Sequence, residues 1–319
     1  MARHVRLIVG CGYVGLRAAQ QWLSLGDRVL TVTRSADKAA SLSQQGIEAK
    51  VWDWHHPLSA TSSPAIHLAH DAWVPRDLVF DSVLIAVSHA PVPGVAPEHA
   101  HVRGLEHLSG WLNPADAPTR WVYLSTTGVF AGTTSGEWVD ETSAVGPTRP
   151  GSIAALEGER WIESRVPQSR RVVLRPAGIY GPGRVPNVEP IRTSTPMSVD
   201  PNSFLNLVHV DDLVGIIVAA TQAPTASPLY CVSDGNSPMR QDYYEWIAQL
   251  GGWPSPKFAS QSTPTESSST AAPHLPRVRA RSDSNKRIDC HRLRTEIDYC
   301  FQYPSYREGL TALAPELRP

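Results

Sequence analysis

Short, largely apolar runs recur along the chain, separated by longer stretches in which apolar residues return at helical spacing. Residues 5–9 are the first run, and Leu16, Ala18, Ala19, Trp22 and Leu23 carry the first helical pattern. Continuous apolar runs of this length mark strands buried on both faces, as in a parallel sheet. Further strands are predicted at 28–33, 47–52, 80–87, 120–124, 171–175 and 229–232. Helices are predicted from Tyr13, over 37–45, through the stretch holding His99, His101 and His107, over 153–164, in the apolar stretch that 206–212 leads into and that runs through 222, and over 241–250. Strands and helices alternating at this spacing predict an α/β doubly wound parallel sheet. Between these elements, 55–76 shows little periodicity, 137–150 reads as a polar loop, and 185–206 reads as Pro-rich and irregular. Residues 253–285, rich in Ser, Thr, Pro and Ala, read as a flexible connection. The segment 284–288 then opens a C-terminal helical region.

Composition narrows the function classes. With 319 residues, 41% of them hydrophobic, the chain can bury a sizeable core. A formal net charge of −1 lacks the basic excess of a nucleic-acid binder. The longest apolar run, 213–220, is interrupted by Gly215 and is too short to cross a bilayer. Neither nucleic acid nor a membrane is therefore an expected partner. The first strand begins within the opening residues, which leaves no secretory pattern. Cys11, Cys231, Cys290 and Cys300 have neither disulfide nor metal spacing, and a reduced, cytoplasmic setting is expected. His99 and His101 lack an acidic or cysteine co-ligand at a suitable spacing, so a helix with a histidine-rich face is read there and no metal site.

The candidate chemistry begins at the first strand. It runs into Gly10-Cys11-Gly12-Tyr13-Val14-Gly15. In a strand–turn–helix context, Gly10 permits the tight turn, Gly12 lets backbone approach a pyrophosphate, and Gly15 lets helix and strand pack closely. The N–H groups and positive dipole end of the helix would face the phosphates. A dinucleotide is thus the expected cofactor. The second strand ends in Thr33-Arg34-Ser35, where an NAD site usually carries an acidic residue for the ribose 2′-hydroxyl. An arginine there can pair with a 2′-phosphate, so NADP(H) is favoured over NAD(H). The competing reading makes Arg34 a solvated loop residue and Asp37 the cofactor ligand. Asp53, just past the third strand, reads equally as an adenine contact or an exposed turn residue. The carboxyl ends of the later strands, where ligands of such sheets sit, add Ala86, Ser125, Pro176 and Gly178 as cofactor candidates.

Four motifs in order now resemble the extended short-chain dehydrogenase/reductase superfamily, the NAD-dependent epimerase/dehydratase group. They are the glycine loop, Ser125-Thr126-Thr127-Gly128-Val129-Phe130, Arg175-Pro176-Ala177-Gly178-Ile179-Tyr180-Gly181-Pro182-Gly183, and His209-Val210-Asp211-Asp212. The C-terminal Ser-Asn-Lys-Arg and Tyr-Pro-Ser-Tyr-Arg-Glu-Gly-Leu segments look like an atypical bacterial branch of that group. The resemblance implies a Rossmann-type domain over 1–180. Residues 181–319 would be mostly a small C-terminal α/β substrate lobe, with 207–232 returning to the Rossmann core. It also implies that Thr126 polarises a substrate oxygen, and by analogy a homodimer.

The family's proton-transfer device is a Tyr-x-x-x-Lys pair. Anchoring on Leu156 and Glu159 places Gly151 and Ala155 at those two positions. No Tyr occurs between Tyr123 and Tyr180, and no Lys between Lys50 and Lys257. Tyr180 is then the first candidate proton donor by position, and His89 the second. The expected function is an NADP(H)-dependent oxidoreductase or epimerase-like enzyme with a degenerate site, acting on a small carbonyl or sugar-like metabolite. The alternative is a non-catalytic NADP(H)-binding sensor.

Overall fold

The computed structural model describes residues 4–56, 78–112, 120–223, 227–259 and 284–318. Seven strands form one sheet: β1 (Val5–Val9), β2 (Arg28–Thr33), β3 (Glu48–Val51), β4 (Ser82–Ile85), β5 (Arg120–Leu124), β7 (Arg171–Pro176) and β10 (Leu229–Val232). Their order is β10-β7-β5-β4-β1-β2-β3, and every pairing is parallel. The order reverses between β1 and β4, which makes the carboxyl end of β1 the switch point where ligands of such sheets bind.

Period-two alternation explains why the runs are apolar throughout. Ile8, Val29, Leu84, Val122 and Val172 face one layer, packed against Val14 and Ala18 and against Leu213 and Ile217 of the helices Tyr13–Ser24 and Val210–Gln222. Leu7, Leu30, Val83, Trp121 and Val173 face the other, against Leu105 and Leu108 of Pro97–Trp111 and Ile162 of Pro150–Arg165. Both long helices of the second layer carry Pro in the first turn, where no backbone donor is lost.

A smaller lobe grows from the carboxyl edge. In it β8 (Gly178–Tyr180) pairs with β9 (Leu207–His209), and Tyr180, Tyr243, Tyr244 and Leu310 centre its core. The chain returns to the main sheet through the helix Val210–Gln222 and β10. Asp212, fully buried at the start of that helix, fastens the C-terminal segment. Its carboxylate accepts from Tyr299 Oη (2.9 Å), Gln302 N (2.7 Å) and Tyr303 N (3.1 Å).

Three segments differ from the sequence reading. The stretch 137–150 contains β6 (Glu137–Val139), and 284–288 holds β11 (Lys286–Ile288), a strand that pairs in parallel with β6, where a helical segment was expected. The irregular stretch 185–206 contains a short helix, Val188–Arg192. Three-residue strands carry too few positions for a period to register, and their pairing is decided by tertiary contact. Most of the expected flexible connection, 260–283, lies outside the described residues, as does most of 55–76.

Candidate active site

The glycine turn is built by close approach. Gly10 has φ +96°, and a Cβ there would lie 2.7 Å from the Ala86 carbonyl oxygen. A Cβ on Gly15 would overlap the Gly10 carbonyl oxygen, so the helix seats directly on the turn. Gly12 differs: a Cβ there would meet nothing, and its backbone borders open space. The helix Tyr13–Ser24 has no side-chain cap and no acidic residue in its first turn. Its first N–H groups and positive dipole end are left for an anion. We expect Gly15→Ala to displace the turn and weaken dinucleotide binding by about tenfold or more, on the scale of an overpacked contact. Fluorescence titration with NADPH measures this, and wild-type affinity would contradict it.

A cavity of about 310 Å³ runs from this turn to the end of β2. Gly10, Cys11 and Gly12 line one part, Thr33, Arg34 and Ser35 another, and Ala86 borders it too. Arg34 is exposed at the rim. The Ser35 hydroxyl caps the helix Ala36–Gln44 by accepting from Lys38 N (3.2 Å). Lys38, which sequence reasoning passed over, lines the cavity alongside Arg34, whereas Asp37 does not border it. Trp52, Trp54 and His55 complete the wall. Burial holds the His55 imidazole below its usual pKa, with Asp53 opposing and Arg34 adding to the shift. Asp53 serves the turn: its carboxylate accepts from His55 N (3.1 Å). The Cys11 thiol is held above its usual pKa by burial, against a hydrogen bond with Thr31 and the charge of Lys38, and it stays neutral. An uncapped helix end and a Cβ-free cradle fit a dinucleotide.

The remaining cofactor candidates lie outside the lining of this cavity. Val14 and Gly15 are buried in the helix–sheet contact. Tyr13 turns away from the cavity, its hydroxyl donating to the Pro182 carbonyl (3.0 Å) with the Arg17 guanidinium over its ring. The Pro176 carbonyl accepts from Thr127 Oγ1 (3.3 Å), and Gly178 N donates to the Asn206 carbonyl (2.9 Å). Ser125 Oγ donates to Glu159, which also holds Arg175 through Nη2 (2.6 Å) and Nε (3.0 Å). This buried triad of Ser125, Glu159 and Arg175 pins the carboxyl end of β5 to the helix Pro150–Arg165 and to β7.

Thr126 follows that anchor. Its Oγ1 accepts from Gly128 N (3.0 Å), which leaves its hydroxyl proton to donate outward. A Cβ on Gly128 would sit 3.2 Å from Thr126 Oγ1, 2.8 Å from Arg149 Nη2 and 2.5 Å from Ser152 Oγ, so these groups crowd one point. His89 is the other group at this edge. Its ring packs on Gly151, with Cβ 3.3 Å and Cγ 3.6 Å from where a Gly151 Cβ would stand. Its Nδ1 is buried without a hydrogen-bond partner among the described residues. Behind it, 6.4 Å away between ring centres, lies His101, whose Nδ1 bonds Tyr123 Oη at 2.7 Å. Burial lowers the His101 pKa to about 4, so its ring is neutral at physiological pH.

The structure corrects the expectation for Tyr180. Its ring is fully buried in the lobe core and its hydroxyl lies against Gly309, without a hydrogen-bond partner among the described residues. Burial drives the phenol above its ordinary pKa, the wrong direction for an acid/base group near neutrality. Two of the three histidines of Pro97–Trp111 are held by packing contacts, His101 as above and His107, whose Nδ1 bonds the Trp54 carbonyl at 2.8 Å, whereas His99 is exposed. Among the described residues, no group of three or more His, Cys, Asp and Glu could hold a metal.

Comparison with known proteins supports this geometry. The family model described as NAD dependent epimerase/dehydratase family matches residues 7–230. Protein YeeZ of Escherichia coli K12 is 25% identical over 297 residues, covering 93% of this chain and 95% of that protein. A conserved protein of unknown function from Silicibacter pomeroyi DSS superposes with TM-score 0.71 at 25% identity, over 98% of this chain and 99% of that one. The human epimerase family protein SDR39U1, isoform 2, solved with NADPH, shares the fold with TM-score 0.70 at 17% identity, over 98% and 99%.

Proposed function

With more than half its length matched, the chain belongs to the NAD dependent epimerase/dehydratase family, and from that membership we propose an NADP(H)-dependent oxidoreductase or epimerase-like activity on a small carbonyl or sugar-like metabolite. The observation that carries the proposal is the single cavity joining the glycine turn to Arg34 and Lys38. Two cations at the ribose end favour a 2′-phosphate; solved structures of the same fold carry NADPH in one case and NAD in others, so the choice rests on Arg34 and Lys38.

When bound, the nicotinamide supplies hydride chemistry. The chain's own residues supply orientation and proton handling. Thr126 donates its hydroxyl proton to a substrate oxygen. His89, seated on Gly151 where the family's helix carries tyrosine, holds or accepts the proton that moves with the hydride. No described helix is long and apolar enough to cross a membrane, and the described cysteines are all free, in keeping with a cytoplasmic enzyme.

Fluorescence titration with NADPH and NADH tests the cofactor choice. Arg34→Ala is expected to weaken NADPH about tenfold to a hundredfold, the worth of a charge-assisted hydrogen bond to phosphate, and to leave NADH unchanged. Tighter NADH binding by the wild-type protein would sink the assignment. A turnover screen over aldehydes, ketones and nucleotide sugars tests the enzyme reading. The absence of Tyr and Lys from the helix Pro150–Arg165 favours one second reading, a dinucleotide sensor, and tight binding without turnover would select it.

A further inference from the structure

We propose that Lys286, Arg240 and Arg149 form a binding site for an anionic group of the substrate, a carboxylate or a phosphate, beside Thr126. The idea deepens the reading above, because it takes Thr126 as the point where the substrate oxygen is held.

The first argument is charge without compensation. Lys286 and Arg240 are only 8% and 9% exposed. Buried cations ordinarily face a carboxylate. Here Lys286 Nζ donates to Ser284 Oγ (2.7 Å) and Arg240 Nε to Ser203 Oγ (2.6 Å), and neither meets an acidic group among the described residues. They also lie within each other's field: burial, followed by the charges of Arg149 and Arg240, lowers the Lys286 pKa to about 8. Arg240 moreover opens the helix Arg240–Gly251, placing a cation at the positive end of the helix dipole. Each feature is unfavourable until an anion enters.

The second argument is that the arrangement is built. Arg240 N donates to the Ser203 carbonyl (2.9 Å), and the neighbouring Phe204 N donates to Asn285 Oδ1 (2.9 Å). Asn206 clamps the strand carrying Lys286: its Nδ2 donates to the Lys286 carbonyl (2.9 Å) and its Oδ1 accepts from Ile288 N (2.8 Å). Pairing of β11 with β6 fixes the same strand from the other side. Three segments distant in sequence thus hold two cations together.

The third argument is position. Arg149 Nη2 and Thr126 Oγ1 crowd the same point above Gly128. Arg149 therefore reaches from the cationic group to the residue that holds the substrate oxygen. A substrate carrying its anionic group near the reacting oxygen would span the two.

Thermal melting of the full chain with inorganic phosphate, at matched ionic strength, tests this without turnover. Phosphate at about 10 mM is expected to raise the wild-type Tm by about 2–4 °C. Arg34→Ala and Thr126→Ala should keep that rise, which separates this site from the cofactor rim and from catalysis. Lys286→Met and Arg240→Met should lose it, and Lys286→Arg should retain it. Without phosphate, Lys286→Met should melt at or above the wild-type temperature, because a buried like charge has been removed. Acetate in place of phosphate distinguishes the two anion classes: a larger shift with acetate assigns a carboxylate, and a larger shift with phosphate a phosphoryl group. A phosphate-dependent rise undiminished in both Met variants, or no rise in the wild type with either anion, would overturn the proposal. Anion binding in a protein with no turnover would instead leave this site standing and remove the enzymatic reading.

Discussion

Glu159→Ala is expected to destabilise the protein by about 3–5 kcal/mol, the usual cost of leaving one partner of a buried ion pair alone. Glu159 and Arg175 have side chains 9% and 6% exposed, and two guanidinium nitrogens meet the carboxylate. Truncation strands the Arg175 charge in the interior and removes the acceptor for Ser125 Oγ at the same time. Arg175 Nη1 already lacks a hydrogen-bond partner among the described residues, so the truncation adds to an existing deficit. The lost stability should appear as a lower midpoint in urea at an unchanged slope. A loss below about 1 kcal/mol would place the pair among exposed ion pairs and refute the burial argument. Replacing both residues by apolar side chains of similar volume should cost much less than either single truncation, since no charge then remains buried. Because Ser125 precedes Thr126, the single variant should also loosen the substrate edge of β5.

That triad illustrates which features the sequence carried openly. The sheet strands were legible because both faces are buried, so runs such as Val83-Leu84-Ile85 carry no polar interruption. The glycine loop was legible because steric need is local: Gly10 and Gly15 are each fixed by an atom that a Cβ would strike. The partner of Glu159 was not legible, since Arg175 lies on another element and only the fold brings the two together. Lys286 was hidden for the same reason. Its chemistry depends on burial beside Arg240, a contact between a short strand and a helix start far apart in the chain. Tyr180 misled because position along the sequence suggested the carboxyl edge, whereas the chain turns its ring into the lobe core. Lys38 could have been found from its place in the first turn of the helix after Arg34.

The helix Pro150–Arg165 ties the fold to the chemistry. Tyr123 fills the space above Gly158, with its hydroxyl where a Cβ would stand, and His89 packs above Gly151. The helix therefore approaches β5 and the segment after β4 more closely than larger residues would allow. A Cβ at 151 would stand 3.3 Å from the His89 Cβ, closer than ordinary contact, so a larger residue there would have to shift the His89 side chain. Gly151 thus leaves room for the imidazole of His89.

Two substitutions at this edge should have the largest effect on turnover. His89→Phe keeps an aromatic ring over Gly151 but can neither take nor give a proton. It is expected to lower kcat by about 10²–10⁴-fold, the range for loss of a positioned acid/base group. Thr126→Val keeps the branched shape but removes the hydroxyl that, under the proposed function, donates to the substrate oxygen. The expected loss is about 10²-fold or more, comparable to deletion of one oxyanion donor. Neither residue borders the dinucleotide cavity, so the NADPH dissociation constant should stay at its wild-type value in both. If the two groups act on the same transition state, the double variant should lose less than the product of the single losses. Wild-type kcat in His89→Phe would remove His89 from the chemistry. A weakened NADPH affinity with unchanged kcat would show that the ring shapes the cofactor site instead.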